Sequence, residues 1–424
     1  MNKPASNSES LFKNSQFLAV WTVGILIGIV RWLEFLAVGI FAYDVTNSAF
    51  LVALLALLRF LPLALFGSYI GALSDLFDSA RLLIIGLTMA AIVSLIMTGL
   101  FIFNAAEYWQ VSIAVFLSGV FWASDQPLRR KIIGEIAGMK RIGQAMATDT
   151  ATSNGSRVIG PLLGGVIYQW LGGAGIFFIG CILYGIAIFL MKRVKWSDHP
   201  SASDLGFNPV TPLRGAWQAI TFASKNREVL CVLGITVVFN IWGFPMLSMI
   251  PVIGKEELAL TPGFVGAISA LEGGCALIGS LLIAKIIKPQ YYRQLYFLGV
   301  FALLTIIFFM GITPGLTTLI IGLIGAGFAG ACFSTMQSTL AYLIAPPKMR
   351  GRLLGLITIC IGSGLIGFAN IGLMADRYGP SEALTIIAIE GAVPMLVIGI
   401  IWQELRRATV PTAKSEASTS GANR

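Results

Sequence analysis

Long uninterrupted apolar runs alternate with short polar segments along this chain, and that rhythm predicts its elements. Runs fall at about 16–43, 50–74, 82–103, 109–128, 143–168, 174–191, 229–252, 262–284, 294–312, 315–345, 353–374 and 382–403. Each is long enough, as a helix, to cross a hydrocarbon core of roughly 30 Å. None shows the ten-residue alternation of a membrane β-strand. The stretch from Leu295 to Pro347 carries no charge and is too long for one crossing; Thr313-Pro314-Gly315 marks the turn inside it. The pattern therefore predicts an all-α membrane protein of twelve transmembrane helices in two six-helix halves.

Composition agrees. Of 424 residues, 56% are hydrophobic and 12% charged, with mean hydropathy +0.84. So few charges cannot cover a water-facing surface, so lipid must face most of it. The net charge of +9 would suit nucleic acid, but its placement excludes that partner. Lys and Arg crowd the segments on the side of the two termini. The opposite loops hold only Lys255 and Arg377, while Arg31, Arg59 and Arg157 lie within spans. By the positive-inside rule both termini are cytoplasmic, and a bacterial inner membrane is the expected location. Cys181, Cys231, Cys275, Cys332 and Cys360 all lie in apolar runs without CxxC spacing, and His199 sits alone in a polar loop. No disulfide, metal or cofactor is expected. There is no Walker A pattern, and no HExxH or GxSxG in a span, so neither an ATP-driven motor nor an intramembrane enzyme is indicated.

The polar stretch 192–227 divides the chain into residues 1–191 and 228–405, with 406–424 as a disordered cytoplasmic tail. Ser197-Asp198-His199-Pro200-Ser201 reads as linker. Residues 213–224 fit either an amphipathic surface helix or a solvated continuation of it. A repeat supports the two halves: Gly155, Gly160, Gly165 and Gly172 recur 207 residues later as Gly362, Gly367, Gly372 and Gly379.

Two motifs follow from a close reading of the loops. After the second span the chain runs Gly71-Ala72-Leu73-Ser74-Asp75-Leu76-Phe77-Asp78-Ser79-Ala80-Arg81, and the fifth span carries Gly160-Pro161-Leu162-Leu163-Gly164-Gly165. With the twelve spans and paired halves, this combination resembles the major facilitator superfamily. The first motif is similar to that family's G-x-L-A-D-R signature, matching at Gly71, Leu73, Asp75 and Arg81 but with Leu76 in place of an arginine. The second is similar to the G-P-x-x-G element of its antiporter branches. Asp75 to Asp78, the segment from Gly215, and Met349-Arg350-Gly351-Arg352-Leu353-Leu354-Gly355 resemble the subgroup containing the enterobactin exporter and macrolide efflux proteins. The arginine common in the fourth span of antiporters is missing. The resemblance implies alternating access, gating through Gly71, Asp75, Arg81, Gly160, Pro161 and Gly164, and a monomer.

Ionisable side chains inside spans are costly and tend to face a cavity or each other. Arg31 and Glu34, three residues apart, share a helical face and are expected to pair, with Glu34 either taking and releasing a proton or held in a permanent ion pair. Arg59 and Arg157 each balance a carboxylate or bind an anionic group of the substrate. Asp149, Ser153 and Arg157 share a face. Glu272, alone in span 8, is a second protonation candidate. Asp125 is expected to anchor at the surface beside Arg129 and Arg130, and Glu390 sits on a peripheral helix. Trp32, Phe35, Phe239, Trp242 and Phe244 either pack a large apolar substrate or only pack the bundle. The expected partners are a small-molecule substrate, protons and lipid. The reading that unites these residues is proton-coupled efflux of an amphiphilic drug-like compound or siderophore; a symporter importing a small nutrient is the alternative.

Overall fold

The computed structural model describes residues 11–76, 78–138, 141–194, 220–344 and 350–406, and all regular structure among them is helical. The helices are α1 Ser15–Thr46, α2 Ala49–Leu76, α3 Ser79–Ile102, α4 Tyr108–Ala137, α5 Ile142–Arg193, α6 Arg227–Val238, α7 Met246–Glu256, α8 Pro262–Ile286, α9 Tyr292–Ile312, α10 Leu316–Ile344, α11 Arg350–Gly362, α12 Gly364–Tyr378 and α13 Pro380–Ile401. The expected helix over 213–224 lies mostly outside the described residues, as do most of the linker and the tail; residues 220–224 are helical.

Among the described residues, eleven helical segments are long and apolar enough to cross a membrane. One of them, α5, has 52 residues, about 78 Å at 1.5 Å per residue, far more than one crossing needs. The chain turns back at Gly172, with φ 59° and ψ −159°, a conformation an L side chain resists. Its two arms make two crossings, and the total is twelve. At the matching repeat position, Gly379 has φ 99° between α12 and α13. The repeat thus puts a glycine where each half must reverse.

The seventh crossing, expected over 229–252, runs Arg227–Glu256 and is widened midway. Between α6 and α7, Phe239–Gly243 form a π turn, closed by the Phe244 N–H donating to the Phe239 carbonyl at 2.8 Å. Such widenings concentrate at functional sites.

Burial separates the layers. In α1, 72% of the most apolar window is buried, and in the α6–α7 crossing 61%, whereas α13 reaches only 28%. The first and seventh crossings are therefore central. The outer helices turn Ile85, Ile92 and Leu95 (α3) and Ile389, Val393 and Ile400 (α13) outward, at the spacing of a lipid-facing stripe.

The halves meet in matched pairs. A Cβ on Gly165 of α5 would stand 2.8 Å from Gly266 of α8, and one on Gly372 of α12 would stand 3.0 Å from Phe50 of α2. One turn further, Gln169 accepts from the Gly263 N–H (3.0 Å), capping α8 from the other half. Asp376, 207 residues after Gln169, accepts from the Phe50 N–H (2.9 Å) and the Ser48 hydroxyl (2.8 Å), capping α2. Lys255 pairs with Asp44 at 2.9 Å at this same end of the bundle, the end away from the termini.

Candidate functional site: a buried charge network beside an aromatic cavity

Arg31 and Glu34 do not pair with each other. The Arg31 guanidinium reaches Asp125 of α4 at 2.9 Å, and Glu34 faces Arg59 of α2 at 3.5 Å. Spacing on one helix makes two residues neighbours, but a counter-charge on an adjacent helix can meet each head-on, and here both find one. Arg59 also donates to the Arg31 carbonyl at 3.0 Å, tying α2 to α1.

The expected surface place of Asp125 is also corrected. Its side chain is fully buried, one oxygen accepting from Arg31 and the other from Arg129 at 3.1 Å. Arg129 goes on to bridge Asp149 of α5, whose other oxygen accepts from the half-exposed Arg130 at 3.1 Å. Asp149 and Arg157 do lie on one side of α5, as the spacing requires, but two turns apart they serve different clusters. Arg157 reaches across to α8, where one Nη2 meets both Glu272 oxygens at 2.7 and 2.8 Å. Glu272 is therefore not alone. Its partner lies 115 residues away in sequence, beyond any local pattern.

The contacts are unequal. Asp125 is saturated by short charged bonds. Glu34, almost fully buried, is held only at 3.5 Å by Arg59 and by the Ser118 hydroxyl, the weak limit of hydrogen bonding. Its Oε1 has no partner among the described residues, nor have Arg59 Nε and Arg157 Nε. Isolated buried polar atoms cost on the order of 1–3 kcal/mol each, so this end of the network is its least satisfied part. Stacked cations partly offset that cost: Arg31 lies 4.8 Å from the Trp122 ring centre and Arg157 5.3 Å from Trp32.

Beside Arg157 and Glu272 opens a cavity of about 210 Å³ whose walls include Phe60, Phe239, Asn240, Phe244 and Phe333. Phe239 and Phe333 stack with centroids 3.6 Å apart. The void exceeds the roughly 150 Å³ that admits a benzene ring. A smaller space of about 30 Å³, lined by Trp32, Phe35 and Pro161, shares Arg157 and Glu272 with it. Of the five aromatics singled out in the sequence, four line one of these spaces; Trp242 turns instead toward α13. The ring clusters of Phe60 and Phe333 gave no separate sequence signal, since apolar residues fill every span.

The motif residues divide. Gly71 and Asp75 fall in the last turns of α2, where side chains lie outside the described residues. Arg81 pairs with Asp78 at 3.2 Å, and Asp78 caps α3. Gly160 and Gly164 form the seam of α5 on α1: a Cβ on Gly164 would stand 2.9 Å from the Leu33 carbonyl oxygen, and one on Gly160 2.5 Å from Trp32. Pro161, between them, offers its carbonyl side to Gly266 of α8.

The model of the Major Facilitator Superfamily matches residues 20–369. The chain belongs to this superfamily. It is similar to the staphyloferrin A transporter of Staphylococcus aureus (strain NCTC 8325 / PS 47), 22% identical over 392 residues, covering 89% of this chain and 94% of that one. It is also similar to macrolide efflux protein A of Streptococcus pyogenes, 20% identical over 370 residues, 86% and 90% of the two chains. Among solved structures, a nucleoside transporter superposes with TM-score 0.72 over 92% of this chain and 99% of its own, at 12% identity, a likeness of fold. The protein is thus a multi-pass membrane transporter with efflux-type relatives, and not an enzyme.

Proposed function

We propose that this transporter exports an amphiphilic small molecule, a drug-like compound or a siderophore, from a bacterial cytoplasm, driven by protons. The observation that carries this reading is the aromatic cavity of about 210 Å³ placed against the Arg157–Glu272 pair at the junction of α5 and α8. Rings take up the apolar body, and the ion pair offers either charge to a polar head. The relatives named for staphyloferrin A and for macrolide efflux support a sizeable cargo. With both termini cytoplasmic, the end clamped by Gln169, Asp376 and Lys255 faces outside, and alternating access requires those clamps to part.

Glu34 is the residue we assign to proton exchange. Its weak contacts and orphaned Oε1 leave room for a proton, whereas Asp125 has no free oxygen. Inverted vesicles with an imposed proton gradient test this. A pH-sensitive dye should report collapse of the gradient when a siderophore or amphiphilic drug is added, and Glu34→Gln should abolish it while the protein stays folded. Full gradient-driven export by Glu34→Gln would remove Glu34 from the mechanism. Accumulation of a nutrient in the direction of the proton flow would replace export with symport.

A further inference from the structure

The central and outer crossings of the second half are almost without charge. Residues 229–254, 294–347 and 353–375 contain no Asp, Glu, Lys or Arg, and 383–403 contain only Glu390. Glu272 on α8 is the other acid in the core of this half, and Arg157 pairs with it. Glu390 of α13 has no cation partner among the described residues. Its Oε2 accepts from Trp242 Nε1 at 2.9 Å and from Asn370 Nδ2 at 2.6 Å. Both donors are neutral.

The elements packed on α13 supply no hidden counter-charge. On α6, α7, α9, α12 and the short turn Gln403–Arg406, the described charged side chains are confined to the two ends: Arg227, Glu228, Arg293 and Glu404 at one, Lys255, Glu256, Asp376 and Arg377 at the other. The remaining titratable side chains on those elements are Cys231, Tyr292, Tyr296 and Tyr378. An intramembrane carboxylate lacking a cation is costly to keep ionised. Every other described acid in the membrane core has an arginine partner.

Glu390 is also mechanically linked to the cavity. Trp242 belongs to the π turn Phe239–Gly243, and its Cβ wedges against Gly391, where an added Cβ would stand 2.7 Å away. Phe239, Asn240 and Gly243 of the same turn, with Phe244 next to it, form a wall of the cavity. The turn therefore has one side on the carboxyl and the other on the space for cargo.

We propose that Glu390 is a second proton-binding site of the transport cycle, coupled to the cavity through Trp242 and the π turn. Proton gain and loss at this carboxyl changes the charge that Trp242 and Asn370 hold, and the turn carries the change to the cavity wall. This rests on the reading of the protein as a proton-coupled transporter.

The test uses the full chain in proteoliposomes, with wild type, Glu34→Gln and Glu390→Gln side by side. A glutamine at 390 keeps an acceptor for both donors but cannot cycle a proton. Its gradient-driven accumulation should fall by roughly tenfold or more, while cargo exchange without a gradient persists. The tryptophan fluorescence of wild type should titrate with pH in a component that disappears in both Glu390→Gln and Trp242→Phe. If wild type is gradient-driven and Glu34→Gln is uncoupled, yet Glu390→Gln accumulates cargo normally and the fluorescence component survives, Glu390 is a fixed polar clamp and the proposal fails alone. If wild type itself ignores the gradient, the underlying reading fails first.

Discussion

The two halves share a backbone plan and differ in what they bury. Both place a glycine at the reversal between their last two crossings, Gly172 and Gly379, and both cap a helix of the opposite half from the same repeat position, Gln169 and Asp376. Yet the first half encloses Arg31, Glu34, Arg59, Asp125, Arg129 and Asp149 in one network, whereas the second encloses Glu390 with neutral donors and an aromatic wall. Repeated packing sites preserve geometry because a close backbone approach tolerates little change. Side chains facing inward are freer to diverge: charge gathers in the first half, while the second half supplies most of the lining of the aromatic cavity.

The difference can be tested from its strongest point downward. Asp125→Ala should be the most damaging change, because it leaves Arg31 and Arg129 buried without their shared carboxylate; a loss of about 3–5 kcal/mol is expected, read as a large drop in thermal unfolding temperature in detergent. Glu390→Gln, its counterpart in the second half, should cost no more than about 1 kcal/mol, since both hydrogen bonds survive. Equal damage from the two would erase the distinction between a charge network and a neutral clamp.

The caps come next. Asp376→Ala removes two bonds to a helix start, an effect of about 0.5–2 kcal/mol. Gln169→Ala removes one neutral bond and should do less. Both should shift the population toward opening at the clamped end, measured as a longer distance between spin labels on α2 and α12 for Asp376→Ala, and on α5 and α8 for Gln169→Ala. An unchanged distance distribution in Asp376→Ala would show that the glycine seams, not the caps, hold that end.

The smallest effect lies outside the membrane. Arg227 donates to Glu404 at 2.6 Å and holds its carboxyl below the usual carboxylate range. A group lowered on folding stabilises above its unfolded value and loses that contribution as pH falls through its folded value. The unfolding temperature of Glu404→Gln should therefore trail wild type slightly at neutral pH, and the gap should close on acidification. The pair is solvated, so a large gap would mean that it anchors more than its own surface contact.

Much of the architecture was legible in one dimension. Run length, the absence of charge from 295 to 347 and the glycine repeat announce twelve helices in two related halves, because a bilayer constrains length and polarity residue by residue. The reversal at Gly172 was legible too, since it falls between the runs at 143–168 and 174–191. The list of intramembrane charges was also legible, while its pairing was not. Spacing suggested Arg31 with Glu34 and put Asp125 at the surface; the structure joins Arg31 to Asp125, Glu34 to Arg59 and Arg157 to Glu272.

What the sequence alone determined, then, is which segments cross the membrane, since the cost of exposing a peptide group or a charge to lipid acts locally. Only the tertiary structure decided who meets whom. Partners 94 or 115 positions apart, such as Arg31 with Asp125 and Arg157 with Glu272, are chosen by how helices cross. So is the isolation of Glu390 from every described arginine. A carboxylate's partner is set by the few ångströms around it, and those distances exist only once the helices have packed.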